Sequence, residues 1–458
     1  MERRNFIGKA LKGTLGLSLG YSTLANARSA SAIIGANNKI VLALIGCGGR
    51  GLTVLNSIVS VNKDIEVKYF CDVNETLAAI PKEIEKFNKL QGYAPKFVNN
   101  MKKVLEDKDV DGVVIATPEH WHTLAGIRAL QAGKHVYLEK NPTLSVWEGQ
   151  KLIEATKKYN KVMQIGFQNR SAPYAFSARE YIKSGKLGNI VHVKCYNMLP
   201  GAKWVAKPDT ATPKGLNWEE WLGPAKQVPY NPNRHSMTSR GGWLDFWDYG
   251  GGALSDDASH VMDLARVVLG DPGHPKSVYC KGGNLAFKSE KETPEYMSIT
   301  YDFENYALTC DSGNATNYMK KEPNTIRMDP KLFPDWRTNS TRTEIYGTEG
   351  LMYLGRHGGG WQVKGEDSKL IAEDGGVFPD KEHHVDFVEA IRTNKAPNGD
   401  VTQGHLSACL VHLADISYRV GNKQLYFDSK TERFTNNEDA NKLLKGNYRT
   451  PYVISDNV

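Results

Sequence analysis

Residues 39–72 constrain the fold more than any other stretch of this chain. Lys39-Ile40-Val41-Leu42-Ala43-Leu44-Ile45 is a nearly continuous apolar run, the pattern of a parallel strand covered on both faces. It leads into Gly46-Cys47-Gly48-Gly49-Arg50-Gly51, a G-x-G-x-x-G turn, and then into a helical stretch from Leu52 to Ser60. In that setting Gly46 permits the tight turn and Gly48 lets the backbone approach a pyrophosphate. Gly51 allows the helix to pack closely on the strand, and the helix N-terminus faces the phosphate charge. A second strand, Glu66-Val67-Lys68-Tyr69-Phe70-Cys71, ends in Asp72, at the spacing that a dinucleotide-binding fingerprint requires. A carboxylate there accepts hydrogen bonds from both adenosine ribose hydroxyls and repels a 2′-phosphate, which favours NAD over NADP. The competing reading, a purely structural glycine turn, leaves the spacing to Asp72 unexplained.

The pattern continues as αβ units. Asp111–Ala116 is another buried strand, stopped by Thr117-Pro118, and a helix through Leu124–Ala132 follows. His135–Leu138 is a strand ending in Glu139-Lys140, and a helix over Val146–Tyr159 leads to the strand Val162–Gly166. Alternating short apolar strands and helices make a doubly wound parallel sheet, with ligand at the strand carboxyl ends. Thr117, Lys140 and Gln168 fall just past such ends. At 458 residues the chain is long enough for two domains. With 40% hydrophobic and 24% charged residues, disorder and a disulfide-stapled mini-fold are excluded.

The N-terminus carries Arg3, Arg4, Lys9 and Lys12 against Glu2, then a Gly-, Ser- and Leu-rich stretch, then Ala25-Asn26-Ala27. Paired arginines before a weakly apolar region resemble a twin-arginine export signal. Residues 1–27 are therefore read as the signal and 28–38 as a linker, with periplasmic or otherwise exported localisation. Residues 1–27 carry a net +3 of the formal +7, which leaves +4 for the rest, so no polyanion-binding surface is expected and no nucleic acid is a partner. No apolar run reaches membrane-spanning length, so no stable membrane insertion is expected once the signal is removed. The six cysteines show no C-x-x-C and no metal-ligand spacing, and they read as buried thiols, with a Cys47–Cys71 disulfide as the alternative.

Gly46–Gly51, Asp72, Thr117-Pro118…His122 and Glu139-Lys140 resemble the Gfo/Idh/MocA family, over about residues 39–428. The resemblance implies a Rossmann domain (39–167), then an α/β substrate domain built on a large open, mainly antiparallel sheet (168–430), then a tail (431–458). It also implies a homo-oligomer, a dimer or tetramer, and a cofactor site from Gly46, Gly48, Gly49, Arg50, Gly51, Asp72, Thr117, Pro118, His122, Glu139, Lys140 and Gln168. Family members carry Glu-Lys-Pro, whose lysine lies beside the nicotinamide; here the motif is Glu139-Lys140-Asn141-Pro142. A cis bond is cheap only before proline, so Lys140 is expected to be presented another way. Gly250–His260 resembles the second family motif, with Ala258 where glycine is usual. Read as helical, Asp256 and His260 are spaced i, i+4 and share a face. A carboxylate beside an imidazole suits a general base, although an N-cap and a packed histidine would look the same.

The reading is an exported NAD-dependent sugar oxidoreductase, with His260 as base, Asp256 orienting it and Lys140 polarising the reacting oxygen. Two alternatives stand: a redox-neutral glycosidase working by oxidation, elimination and re-reduction, and a non-catalytic NAD- and sugar-binding sensor. Residues 198–249, rich in tryptophan, are expected over the catalytic mouth, with Trp243, Arg240, Asp245 and Tyr249 as substrate contacts. Packing of a long loop is the alternative for each ring. Strand-like runs at 277–280, 297–303, 307–311, 344–346 and 351–354 supply the second sheet. His383-His384 has no matching carboxylate or cysteine, and His120-x-His122 lies in the Thr117-Pro118 loop near the expected nicotinamide, where helix capping or substrate contact accounts for it, so no metal is expected.

Overall fold

A computed structural model describes residues 39–236 and 242–458. Residues 1–38, expected as a signal and a linker, and Arg240 lie outside the described residues. Six strands form the first sheet: β1 (Ile40–Ile45), β2 (Ile65–Cys71), β3 (Lys96–Val98), β4 (Gly112–Ile115), β5 (His135–Leu138) and β6 (Met163–Ile165). Their order is β3–β2–β1–β4–β5–β6 and every pairing is parallel, the doubly wound arrangement expected. All of β1 except Val41 is buried, because helices cover both faces of the sheet.

Ten strands form the second sheet: β7 (Ile190–Leu199), β8 (Ser277–Gly283), β9 (Tyr296–Asp302), β10 (Ala307–Asn314), β11 (Thr341–Gly347), β12 (Gly350–Gly355), β13 (Trp361–Lys364), β14 (Leu370–Asp374), β15 (Leu425–Asp428) and β16 (Arg433–Phe434). Their order is β14–β13–β12–β11–β7–β10–β9–β8–β15–β16. Only β7 and β10 run parallel, so the sheet is mainly antiparallel as expected. Along β7, Val193, Cys195, Asn197 and Leu199 point inward, and along β9 Met297, Ile299 and Tyr301 do. Of these, Val193, Cys195, Met297, Ile299 and Tyr301 join residues of the helices Ser259–Val268 and Val401–Arg419 in the second core. On the other face, Ser298, Thr300 and Asp302 of β9 are exposed and His192, Lys194 and Tyr196 of β7 are half-buried.

The two sheets are interleaved in sequence more than the expected boundaries allow. Phe387, Val388 and Ile391 of the helix Asp380–Thr393 join the core of β1 and β2. Residues 431–458, expected as a tail, supply β16 and then return to the first sheet, where Tyr452, Ile454 and Val458 are buried with Trp121 and Leu124. All six cysteines are buried and free, and the Cys47 thiol donates to the Cys71 carbonyl at 3.5 Å. Among the described residues, no helix is long and apolar enough to cross a membrane.

Candidate active site

The glycine turn behaves as its spacing implies. Gly46 has φ +91°, and a Cβ there would lie 2.6 Å from the Ala116 carbonyl carbon. A Cβ on Gly51 would meet the Gly46 carbonyl oxygen at 2.1 Å, so only glycine lets the helix Gly49–Val61 seat against the turn. Above Gly49 the space is open. Asp72 lies at the end of β2, its Oδ2 accepting from the Cys47 N–H (2.7 Å) and its Oδ1 from the Asn74 N–H (2.9 Å). Burial raises the Asp72 pKa, with those backbone donors working the other way.

This turn opens on a cavity of about 660 Å³. Gly46, Gly48, Gly49, Arg50, Asp72, Thr117, Pro118, Glu139, Lys140, Gln168, Trp243, Asp256 and His260 all line it, so the dinucleotide turn and the proposed chemistry share one space. Arg50 Nε and Nη2 each lie 2.9 Å from Glu139 Oε1, tying the turn to the end of β5. Gly51 and His122 lie behind the wall. His122 sits between the carbonyls of Asn141 (Nδ1, 2.6 Å) and Thr117 (Nε2, 2.8 Å), where it ties both loops together.

Two expectations about the catalytic groups are corrected. The peptide between Lys140 and Asn141 is cis, so the bend is present without proline. Asn141 is fully buried there, its N–H facing Glu119 Oε1 at 3.5 Å. Asp256 and His260 do not share a helix face. At Asp256 ψ is −110°, which breaks helical geometry, and the regular helix starts at Ser259. Asp256 instead accepts from Lys140 Nζ at 2.9 Å, and Lys140 reaches the Ser255 carbonyl at 3.4 Å. Burial opposes the Lys140 charge, but Asp256, Glu119 and Asp257 outweigh it and raise its pKa. The carboxylate whose field favours a charged His260 is Asp257. It is overridden by burial and by the nearby Arg356 and Lys140, which push the imidazole well below its ordinary pKa and keep it neutral. Its ring meets Phe167 edge-on, centroids 5.5 Å apart.

The substrate contacts read from the aromatic stretch divide. Trp243 lines the cavity. Asp245 is buried against Lys291 (3.0 Å) and accepts from the Gly242 N–H, a cap and an ion pair away from the cavity. Tyr249 is fully buried, its ring edge-on to His120 and Trp221, and packs a core in which Trp218 and Trp221 stack at 4.6 Å. His120, His383 and His384 likewise have separate partners: the Trp221 carbonyl, the Ile165 carbonyl and the Ser57 hydroxyl.

A second set of wall residues was not foreseen. Lys321, Arg356 and His357 surround Asp257, with Arg356 Nη2 at 3.9 Å, His357 Nε2 at 3.7 Å and Lys321 in direct contact. Burial opposes ionisation of Asp257, yet Lys321, His357 and Arg356 hold its carboxyl well below the usual range. They lie on loops of the second sheet, 64 or more residues from Asp257, and no local pattern flags them.

The cavity fits a polar ligand spanning both domains. Thr117 Oγ1, Gln168 Oε1, His260 Nδ1, and Arg356 Nε and Nη1 are buried on its wall without hydrogen-bond partners in the protein. Each such group costs about 1–3 kcal/mol until something pairs it. Fold and site together define a two-domain dinucleotide-binding α/β protein of the oxidoreductase type. The chain matches the oxidoreductase family Gfo/Idh/MocA, in its NAD-binding Rossmann fold over residues 40–167 and in its C-terminal alpha/beta domain over 179–340 and 361–454, and it belongs to that family. NAD is the cofactor of that domain.

Levoglucosan dehydrogenase of Pseudarthrobacter phenanthrenivorans is 28% identical over 173 residues, 38% of this chain and 36% of that protein. The match thus spans little more than a third of that relative. The NAD-dependent scyllo-inositol 2-dehydrogenase of Bacillus subtilis is 24% identical over 305 residues, 64% of this chain and 71% of that protein. Among solved structures, the WlbA dehydrogenase of Bordetella pertussis with NADH and UDP-GlcNAcA superposes with a TM-score of 0.60 at 18% identity, covering 85% of this chain and 99% of that one. At that identity it shows the fold.

Proposed function

We propose that this chain is an exported oxidoreductase that moves hydride between a hydroxyl-bearing carbon of a sugar or glycoside and NAD held in the cavity. The observation that carries the reading is the presence of Lys140 and His260 on the wall of the same cavity that opens on Gly46–Arg50 and Asp72. NAD, when bound, supplies the hydride acceptor. Asp72 and the turn Gly46–Arg50 would hold its adenosine and phosphates, and Thr117 and Gln168 offer polar atoms further along the wall.

His260, neutral at physiological pH, takes the proton of the reacting hydroxyl as the carbon–oxygen double bond forms. Of the three Lys140 ammonium protons, one goes to Asp256 and one is aimed at the Ser255 carbonyl. The third is free to donate to the substrate oxygen as charge develops on it. Asp256 is thus a positioning residue for Lys140, and the unpaired donors of Arg356 bind a second oxygen of the substrate. Trp243 and Trp221 give the C–H face of a sugar an apolar wall. The names of the relatives, dehydrogenases of levoglucosan and scyllo-inositol, support a polyhydroxylated ring as substrate.

Free NAD is scarce outside the cytoplasm, so the cofactor stays bound through turnover and a second carbonyl compound regenerates it. Folding before twin-arginine export provides the moment of loading. The face of the ten-stranded sheet that carries Ser298, Thr300 and Asp302 is the surface for self-association. Adding single sugars to purified protein while following the reduced-nicotinamide band tests the reading. A lasting rise with one sugar supports it. Release of an aglycone with no lasting change supports the redox-neutral glycosidase, and tight sugar binding with no spectral change supports a sensor.

A further inference from the structure

Away from the cavity, four side chains of metal-ligating type converge in the second domain. His274 follows the helix Ser259–Val268, His405 and Cys409 lie one turn apart on the helix Val401–Arg419, and Glu432 sits in the turn between β15 and β16. One ligand atom from each falls within 4.8 Å of the other three. We propose that His274, His405, Cys409 and Glu432 bind a zinc-type divalent ion in a closed, structural site.

The distances support a common centre. Cys409 Sγ lies 3.6 Å from both Nε2 and Nδ1 of His405, so it faces the ring and its χ1 must turn toward Nε2 before the two atoms can share an ion with Zn–S of ~2.3 Å and Zn–N of ~2.05 Å. Nε2 of His274 and Nε2 of His405 both face Glu432 Oε1, at 2.7 and 2.8 Å. Tetrahedral ligation sets such nitrogen and oxygen atoms about 3.3 Å apart, so loading moves the carboxylate outward by roughly half an ångström. Gln150 Nε2 donates to the other oxygen, Oε2, at 2.6 Å, which orients the carboxylate and leaves Oε1 for the ion.

The surroundings are built around the cluster. A Cβ on Gly149 would lie 2.0 Å from His405 Nδ1, so glycine makes room for the ring. His274 Nδ1 is buried with no partner. Two imidazoles, a thiolate and a carboxylate form a borderline-soft donor set that suits zinc better than magnesium or calcium. The side chains of His274, His405 and Glu432 are 5%, 3% and 15% exposed, which leaves no open position for a substrate. The ion would staple three segments, the turn after Val268, the helix Val401–Arg419 and the β15–β16 turn, next to the helix Val146–Tyr159. Only His405 and Cys409 are close in sequence, at i and i+4; the fold brings His274 and Glu432 to them.

Elemental analysis of untagged, NAD-loaded full-length protein, expressed with zinc and exhaustively dialysed, tests the site. About one zinc per chain is expected. Exchange with cobalt(II) should give a near-ultraviolet thiolate-to-metal charge-transfer band, and Cys409→Ser should abolish that band and cut retained metal about fivefold or more. Wild-type protein holding below about a tenth of an equivalent and giving no cobalt band overturns the proposal. So does a full equivalent that Cys409→Ser and His405→Ala both leave unchanged. If the variants do not fold, the wild-type cobalt spectrum decides alone.

Discussion

Replacing Lys140 with methionine keeps the aliphatic stem and removes the charge. The ammonium lies 2.9 Å from Asp256 Oδ1, with side chains 14% and 28% exposed. At an effective dielectric constant of about 20, the gross attraction at that distance is about 6 kcal/mol. Withdrawing both charges from water returns most of it. A net stability loss of about 1–2 kcal/mol follows, because Asp256 keeps some access to solvent. The kinetic loss is larger. A donor aimed at an oxygen that becomes anionic is worth about 2.7–4 kcal/mol, so kcat should fall about 10²–10³-fold. The assay is steady-state reduction of NAD by a sugar that the wild type oxidises, run beside thermal unfolding. A kcat within about threefold of wild type, together with a stability loss above about 4 kcal/mol, would refute the reasoning. Lys140 would then be only a buried counter-ion of Asp256.

His260→Ala should lose about 10²–10⁴-fold in turnover while still binding NAD by fluorescence titration. Because burial, Arg356 and Lys140 lower the His260 pKa, the base stays deprotonated through pH 6.5. The kcat/KM profile should therefore hold flat there, with its acid limb at lower pH; a limb at about 6.5 would mark an unperturbed imidazole. Asp72→Asn keeps an acceptor for a backbone N–H and loses the charge, so preference for NAD over NADP should drop about 10- to 100-fold in competitive binding. Ile454→Ala, at a position 4% exposed against the first sheet, should cost about 2–5 kcal/mol in denaturant unfolding; a silent substitution would show that the last residues are detachable.

The first sheet was legible because its chemistry leaves few choices. Strands buried on both faces must be apolar throughout, and Gly46 and Gly51 stand where backbone contacts exclude a Cβ. Asp72, Lys140 and Gln168 followed, since a parallel sheet gathers its ligands at strand ends. The Asp256–His260 relation was misread because spacing was taken as helical, and the departure of Asp256 from helical ψ has no signature in Ala253-Leu254-Ser255-Asp256. Trp218, Trp221 and Tyr249 packed together, since an aromatic ring gains as much from a core as from a sugar face. Arg356 and Lys321 could not be placed at all. They reach the cavity through the order of the second sheet, in which β7 separates β11 from β10, a long-range pairing that no local pattern encodes.

The account turns on His260 and Lys140 acting at one carbinol beside the nicotinamide. The most direct measurement uses a sugar deuterated at the oxidised carbon, with magnetic resonance detection of the label. Deuterium should appear on C4 of the bound reduced nicotinamide, with a primary isotope effect on the rate of its formation, and that rate should fall about 10²–10⁴-fold in His260→Ala. Reduced nicotinamide without the label, or transfer that persists undiminished in that variant, would contradict it.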